Sequence, residues 1–248
     1  LRGLFFDTAI YSGGRLVAQV LSFCLLPLYT RYISIPEFAI IELVSVYTNF
    51  FTCLIGLNLT SGVARYYYEV SKTERLANNI SSLCISFLLF TVLVIVIILI
   101  GNIYSFKGVY KILSDHKYLI LFQVFSVFLN NTLMFHVQIM KKPIFFSIIS
   151  ILNILFTSFF TIYYVVYLHE GVSGFIFSKA IGLLIVSILI IYFIYREFIT
   201  RPSVFAAKEV LSFSLGSFPG MLFVKFRSVL DRNLIIYFLN DFSLGVLS

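Results

Sequence analysis

Residues 213–240 read FSLGSFPGMLFVKFRSVLDRNLIIYFLN. The stretch is long and apolar enough to cross a bilayer, yet it carries Lys225, Arg227, Asp231 and Arg232. At ~1.5 Å per residue a helix of this length reaches ~42 Å, which puts Lys225 and Arg227 near the bilayer midplane. A cation there costs ~2.5–3.5 kcal/mol even on insertion scales. Three cations and one carboxylate are therefore expected to face protein, a water-filled cavity or an anionic ligand.

The remainder of the chain supplies the setting. Its 248 residues are 60% hydrophobic and 12% charged, with a mean hydropathy of +1.01, far from a soluble domain. Several windows of ~20 residues are almost free of charge, the length of a spanning helix. The class is an all-α polytopic membrane protein. A net charge of +7 reports topology first, so no nucleic-acid partner is inferred. Cys24, Cys53 and Cys84 sit in apolar segments with neither metal-ligand spacing nor a disulfide pattern, and no metal or cofactor is expected. The first apolar segment is too long for a signal peptide and lacks a small-residue cleavage site, so it is expected to be retained. Beginning at Leu1 and stopping at Ser248 just after a helix, the chain reads as a fragment of a longer protein.

Six apolar spans are expected before the charged stretch, at about 8–33, 38–62, 76–101, 117–140, 144–168 and 172–195. They form a transmembrane bundle over 1–209. Residues 210–248 then hold the first helix of a second bundle and the start of the next. Polar residues in these spans recur at three- and four-residue steps and so share faces. The first span has Ser12, Arg15, Gln19 and Ser22; the second has Glu42, Ser45, Asn49, Thr52 and Gly56. Gln123, Ser126 and Asn130 line the fourth, and Ser147, Ser150, Asn153 or Thr157, and Thr161 line the fifth. Such stripes first suggest close interhelical packing. Phe87–Ile100 is aliphatic and expected to face lipid, while RYYYE at 65–69 suits a membrane–water interface. Gln138 and His136 carry no clear pattern.

Orientation follows from the basic residues of alternate loops. Arg2, Arg65, Lys72, Arg75, Lys141, Lys142, Arg196, Arg201 and Lys208 fall on one side; Arg31, Lys107, Lys111 and Lys117 fall on the other. Nine against four places the N-terminus in the cytoplasm. An internal echo links YISIPEFAI from Tyr32 with YFLNDFSLG from Tyr237, as in transporters built from repeats.

Three motifs carry a family likeness: LLPLYTRYISIPEFA, then SGVARYYYE before a short charged loop, then SVLDRNLIIYFLNDFSLGVLS. They resemble the polysaccharide-biosynthesis transporters, the lipid-linked oligosaccharide flippases of the MATE-like multidrug/oligosaccharidyl-lipid/polysaccharide (MOP) superfamily. The O-antigen or capsule branch is the nearer likeness. The resemblance implies 12 to 14 helices in two bundles, of which this chain matches the N-terminal bundle plus one helix. It also implies a bacterial cytoplasmic membrane, a polyprenyl-diphosphate-linked oligosaccharide as cargo, and exchange against H⁺ or Na⁺. Membrane lipids and glycan-assembly proteins are the expected partners.

The charges have functional and structural readings. Lys225, Ser228 and Arg232 share one face of the seventh span; Arg227 and Asp231, four apart, share the next and can pair. Pairing would leave Lys225 and Arg232 uncompensated, suited to a diphosphate passing through a cavity. Arg15 and Lys179 would extend the basic lining, or snorkel to an interface. Asp231, then Glu42, are the carboxylates expected to sense a coupling ion. An exporter of drugs or amphiphiles on the same fold is the nearest competitor. A glycan polymerase or ligase is the other, but its catalytic groups would need larger outer loops with paired carboxylates.

Overall fold

A computed structural model describes residues 2–103, 114–199 and 201–239. Every described element is helical: α1 (Arg2–Tyr32), α2 (Ile35–Gly56), α3 (Leu59–Tyr66), α4 (Lys72–Ile103), α5 (Lys117–Ile139), α6 (Pro143–Thr161), α7 (Gly171–Ile194) and α8 (Val204–Leu239). Among the described residues, five segments are long and apolar enough to cross a membrane: Ile35–Gly56, Lys72–Ile100, Lys117–Ile139, Pro143–Tyr167 and Gly171–Ile194. The charged stretch at 213–240 is not among them, because its four charges and its Ser, Gly and Pro residues lower its hydropathy. The middle of the loop after α4, with Lys107 and Lys111, lies outside the described residues, as does most of the second copy of the internal echo.

Local chemistry sets the helix starts. Before α2, the Ser34 N–H and hydroxyl donate to Glu37 Oε2 at 2.8 and 2.7 Å. Before α4, Ser71 does the same to Glu74 Oε2 at 3.0 and 2.9 Å, and the Glu74 N–H returns a bond to Ser71 Oγ at 3.4 Å. Both are Ser-x-x-Glu boxes that satisfy N–H groups otherwise left free in a helix's first turn. The second box starts α4 at Lys72, four residues before the expected position.

The second expected span, 38–62, is two helices. Leu57 and Asn58 both adopt left-handed backbone, with φ of 41° and 55°, which ends α2 at Gly56 and redirects the chain into α3. An L-residue other than Asn, Asp or Gly pays ~1–2 kcal/mol in that region. Asn58→Val is therefore expected to lower unfolding stability in detergent by ~1.5–3.5 kcal/mol, through the strained backbone and the loss of its bond to Ser217 together, and Leu57→Gly to relieve strain while giving up packing against Leu59, Val63 and Val210, a smaller net change. Thermal unfolding of both variants checks this; an Asn58→Val protein as stable as the parent would refute the strained break.

Two further boundaries differ from expectation. The fifth span closes with a wider π-helical turn, Ile162–Tyr167, and the last begins at Val204, so residues 204–209 are helix and not connection. Pro202 and Ser203 mark that start, and the Ala207 N–H donates to the Ser203 carbonyl at 2.9 Å.

Packing is organised by α7, which lies between α5 and α6, with α1 against α6. Leu133, Val137, Phe146, Ile149, Val186, Ile190 and Ile194 fill the α5–α6–α7 core. Polar stripes meet inside it, where Asn130 and Asn153 exchange amide bonds at 3.0 and 3.1 Å and Thr161 pairs with Ser178 at 2.9 Å. Here the small and polar residues join helices, as such stripes do in membranes. On α4, Phe87, Leu88, Val92, Ile95, Val96, Leu99 and Ile100 are exposed, a surface suited to lipid.

The charged helix α8 crosses α2, α3 and α4. It comes close at Gly62, where an added Cβ would lie 2.5 Å from the Val210 carbonyl oxygen. Only glycine allows that approach.

Candidate functional site

Helix α8 is fastened to α2 and α3 at two levels. At one, Asn58 Nδ2 donates to Ser217 Oγ at 2.8 Å. At the other, Arg232 Nη2 donates to Glu42 Oε1 at 2.9 Å and the Tyr47 hydroxyl donates to Asn233 Oδ1 at 3.1 Å. Fifteen residues of helix separate Ser217 from Arg232, or ~22 Å along the axis. Lys225 sits about midway.

Between the fastenings lies a cavity of about 220 Å³. Its walls come from α2, the break, α3, α4, α5 and α8, with Asn49, Thr52, Asn58, Ser82, Asn131 and His136 among the polar groups. Lys225 is the charged residue of this lining, which contains no carboxylate among the described residues. The redirection at Leu57–Asn58 stands in its wall, with Gly56, Asn58 and Leu59 all lining the space. Asn49, Thr52 and Gly56, three members of the polar line expected on the second span, all face this cavity.

His136 is the residue the sequence reading passed over. It lines the cavity, is 2% exposed, and packs edge-on against Phe198 with ring centroids 5.1 Å apart. Neither ring nitrogen has a hydrogen-bond partner. Leaving a buried polar group unpaired costs ~1–3 kcal/mol. A lone histidine in an apolar span has no periodic partner in the sequence, so local spacing gave it no role.

The other expected site residues divide into separate groups. Arg232 is not uncompensated: Glu42 pairs with it, and the two side chains are 25% and 31% exposed. The reason is the interhelical contact of α2 with α8, which wheel arithmetic on one helix does not see. Lys179 stands on α7, outside the cavity lining and in none of the ion pairs described. Arg227 and Asp231 do pair, with 3.6 Å between Nε and Oδ2, but both are mostly exposed at 76% and 58%, and neither lines the cavity. Arg15 falls on α1, and its side chain lies outside the described residues.

No protein-family profile and no curated protein matches this sequence. Solved structures do share its fold. A MOP superfamily transporter from Pyrococcus furiosus superposes with a TM-score of 0.65 at 16% identity, over 88% of this chain and 51% of that one. A MATE transporter in complex with MaL6 gives 0.62 at 16% identity, over 95% and 53%. An outward-facing multidrug resistance MATE transporter of the same superfamily gives 0.60 at 17% identity, over 87% and 50%. The chain thus has the helical-bundle fold of MATE and MOP transporters and spans about half the length of each.

Proposed function

We propose that this chain is the N-terminal part of a flippase that carries a polyprenyl-diphosphate-linked oligosaccharide across the cytoplasmic membrane by alternating access. In this reading it is six-helix bundle plus α8, and α8 opens a second bundle. The observation that carries the proposal is Lys225, a cation lining a cavity whose described lining has no carboxylate. A phosphate is the group such a site would hold, because ionised contacts are the strongest available and a lone cation away from bulk water gains most from an anion. The exposed apolar residues of α8, among them Phe223, Val224, Leu230 and Leu234, give a second bundle a surface to pack on. Arg227 and Asp231 would face that bundle, and Arg15 would extend the basic lining.

Glu42 replaces Asp231 as the leading candidate for ion coupling. It pairs with Arg232 across the α2–α8 contact, so its neutralisation by H⁺ would loosen α8 from α2. A Na⁺ ion would have to displace Arg232 to reach it. Export of drugs or amphiphiles is the second reading, favoured by the fold shared with a multidrug resistance transporter. Lys225 argues against cationic drugs, which it would repel.

Cells lacking the full-length protein are expected to lose surface glycan and to accumulate lipid-linked oligosaccharide on the cytoplasmic leaflet. Drug sensitivity with unchanged glycan would instead establish the exporter.

A further inference from the structure

We propose that the end of the bundle where α3, α4 and the α5–α6 turn meet binds the headgroup of an anionic phospholipid, with Lys141 and Lys142 on the phosphate and Tyr68 beside them. The RYYYE stretch at 65–69, expected at a membrane–water interface, is the centre of this surface. Its outer residues satisfy each other, because Arg65 pairs with Glu69. Tyr67 is buried against Leu59, Val63 and Val210 and carries the Arg75 guanidinium of α4 at 4.6 Å from its ring centre. Tyr68 stands edge-on to it, with ring centroids 5.0 Å apart, and is 60% exposed. It carries the Lys141 ammonium at 4.7 Å from its own ring centre, and its hydroxyl donates to the Ile139 carbonyl at the end of α5. Two cations from separate elements are thus seated on a pair of rings anchored in the core.

Topology alone asks only that positive charge lie on one side of the membrane, in no fixed geometry. Here the geometry is fixed. A cation over an aromatic face is held in place without spending its N–H donors, which stay available to an acceptor. No carboxylate takes them: Glu69 is engaged by Arg65, Glu74 by the N–H and hydroxyl of Ser71, and the exposed Lys141 and Lys142 have no ion pair among those described. A phosphodiester is the complement of two adjacent ammonium groups. Depth argues for a lipid and not a dissolved anion, since tyrosine rings settle at headgroup level. Past the turn, Ile144, Ile148 and Leu155 are exposed on α6 at steps of four and seven, an apolar stripe along which an acyl chain can lie. Basic clusters between helices at a membrane surface are where acidic headgroups bind. Tyr68, Lys141 and Lys142 are absent from the lining of the Lys225 cavity, so this surface stands apart from the proposed cargo path.

Thermal unfolding tests the proposal. The full-length protein in neutral detergent is titrated with phosphatidylglycerol, phosphatidylcholine or inorganic phosphate, and half-saturation of the rise in melting temperature gives an apparent affinity. Phosphatidylglycerol is expected to raise the melting temperature saturably, and the other two to give no saturable rise. Lys141→Gln combined with Lys142→Gln should weaken phosphatidylglycerol ~30-fold, the ~2 kcal/mol of two surface charges at ~1 kcal/mol each. Tyr68→Leu keeps every charge but releases Lys141, and should weaken it ~2–5-fold. Arg31→Gln, on the opposite side by the loop pattern, should change nothing. Each variant is compared with itself in lipid-free detergent, so a loss of basal stability does not count as a loss of binding. Equal rises with phosphatidylglycerol and phosphatidylcholine would overturn the proposal. So would a rise with inorganic phosphate alone, which would mark a small-anion surface. Unchanged affinity in the double variant, or the same weakening in Arg31→Gln, would reduce the effect to net charge and sink the site.

Discussion

Replacing Lys225 by Ala or Gln in the full-length protein is expected to reduce surface glycan by ~10–150-fold while the protein still reaches the membrane. The range is the ~1.5–3 kcal/mol of a hydrogen bond to a charged group, converted at ~1.4 kcal/mol per factor of ten. Folding should not suffer, because Lys225 has no ion pair among those described and its removal takes a costly charge out of the membrane. Lys225→Arg should keep part of the activity: the charge stays, but a planar fork replaces a compact ammonium in a small cavity. Quantitative glycan blots beside membrane-fraction immunoblots separate transport from abundance. Normal glycan in Lys225→Ala would remove the cavity from the substrate path. Faster export of a cationic drug by the same variant would favour the competing reading.

Much of the architecture was legible because the bilayer restricts the choices. A chain this apolar can only be a helical bundle, and the polar stripes on the fourth and fifth spans foretold the Asn130–Asn153 pair. The Ser-x-x-Glu boxes at Ser34 and Ser71 were equally open to reading. The α2–α3 break was not. Its two residues are Leu57 and Asn58, with no Pro present, and the neighbouring Gly56 already had a place in a polar stripe. Left-handed backbone at a leucine is imposed by tertiary packing, which propensity does not report.

The site was legible to the same degree. Lys225 could be picked out because a midplane cation is costly wherever it points. Arg232 was misplaced because its partner stands 190 positions away, on α2. Local spacing offered Asp231 to Arg227 and nothing to Arg232. His136 could be placed in the cavity wall only once the turn of α5 was known.

The Glu42–Arg232 pair carries the other large effect, and it tests whether α8 is held by this contact. Arg232→Ala leaves Glu42 without its partner and should cost ~1–3 kcal/mol, less than the ~3–5 kcal/mol of a fully buried pair because both groups keep some solvent. Glu42→Gln should cost a similar amount, since it leaves Arg232 without a carboxylate. Exchanging the two residues, Glu42→Arg with Arg232→Glu, rebuilds the pair with its charges reversed. Much of the lost stability should therefore return in the exchange. Thermal unfolding in detergent measures the first quantity and surface glycan the second. If neutralising Glu42 is the step that frees α8, Glu42→Gln will lose transport even where a second-site change restores its stability. An exchange that restores nothing would show that α8 is placed by the Gly62 approach and the Asn58–Ser217 and Tyr47–Asn233 bonds, and Glu42 would lose its claim to coupling with it.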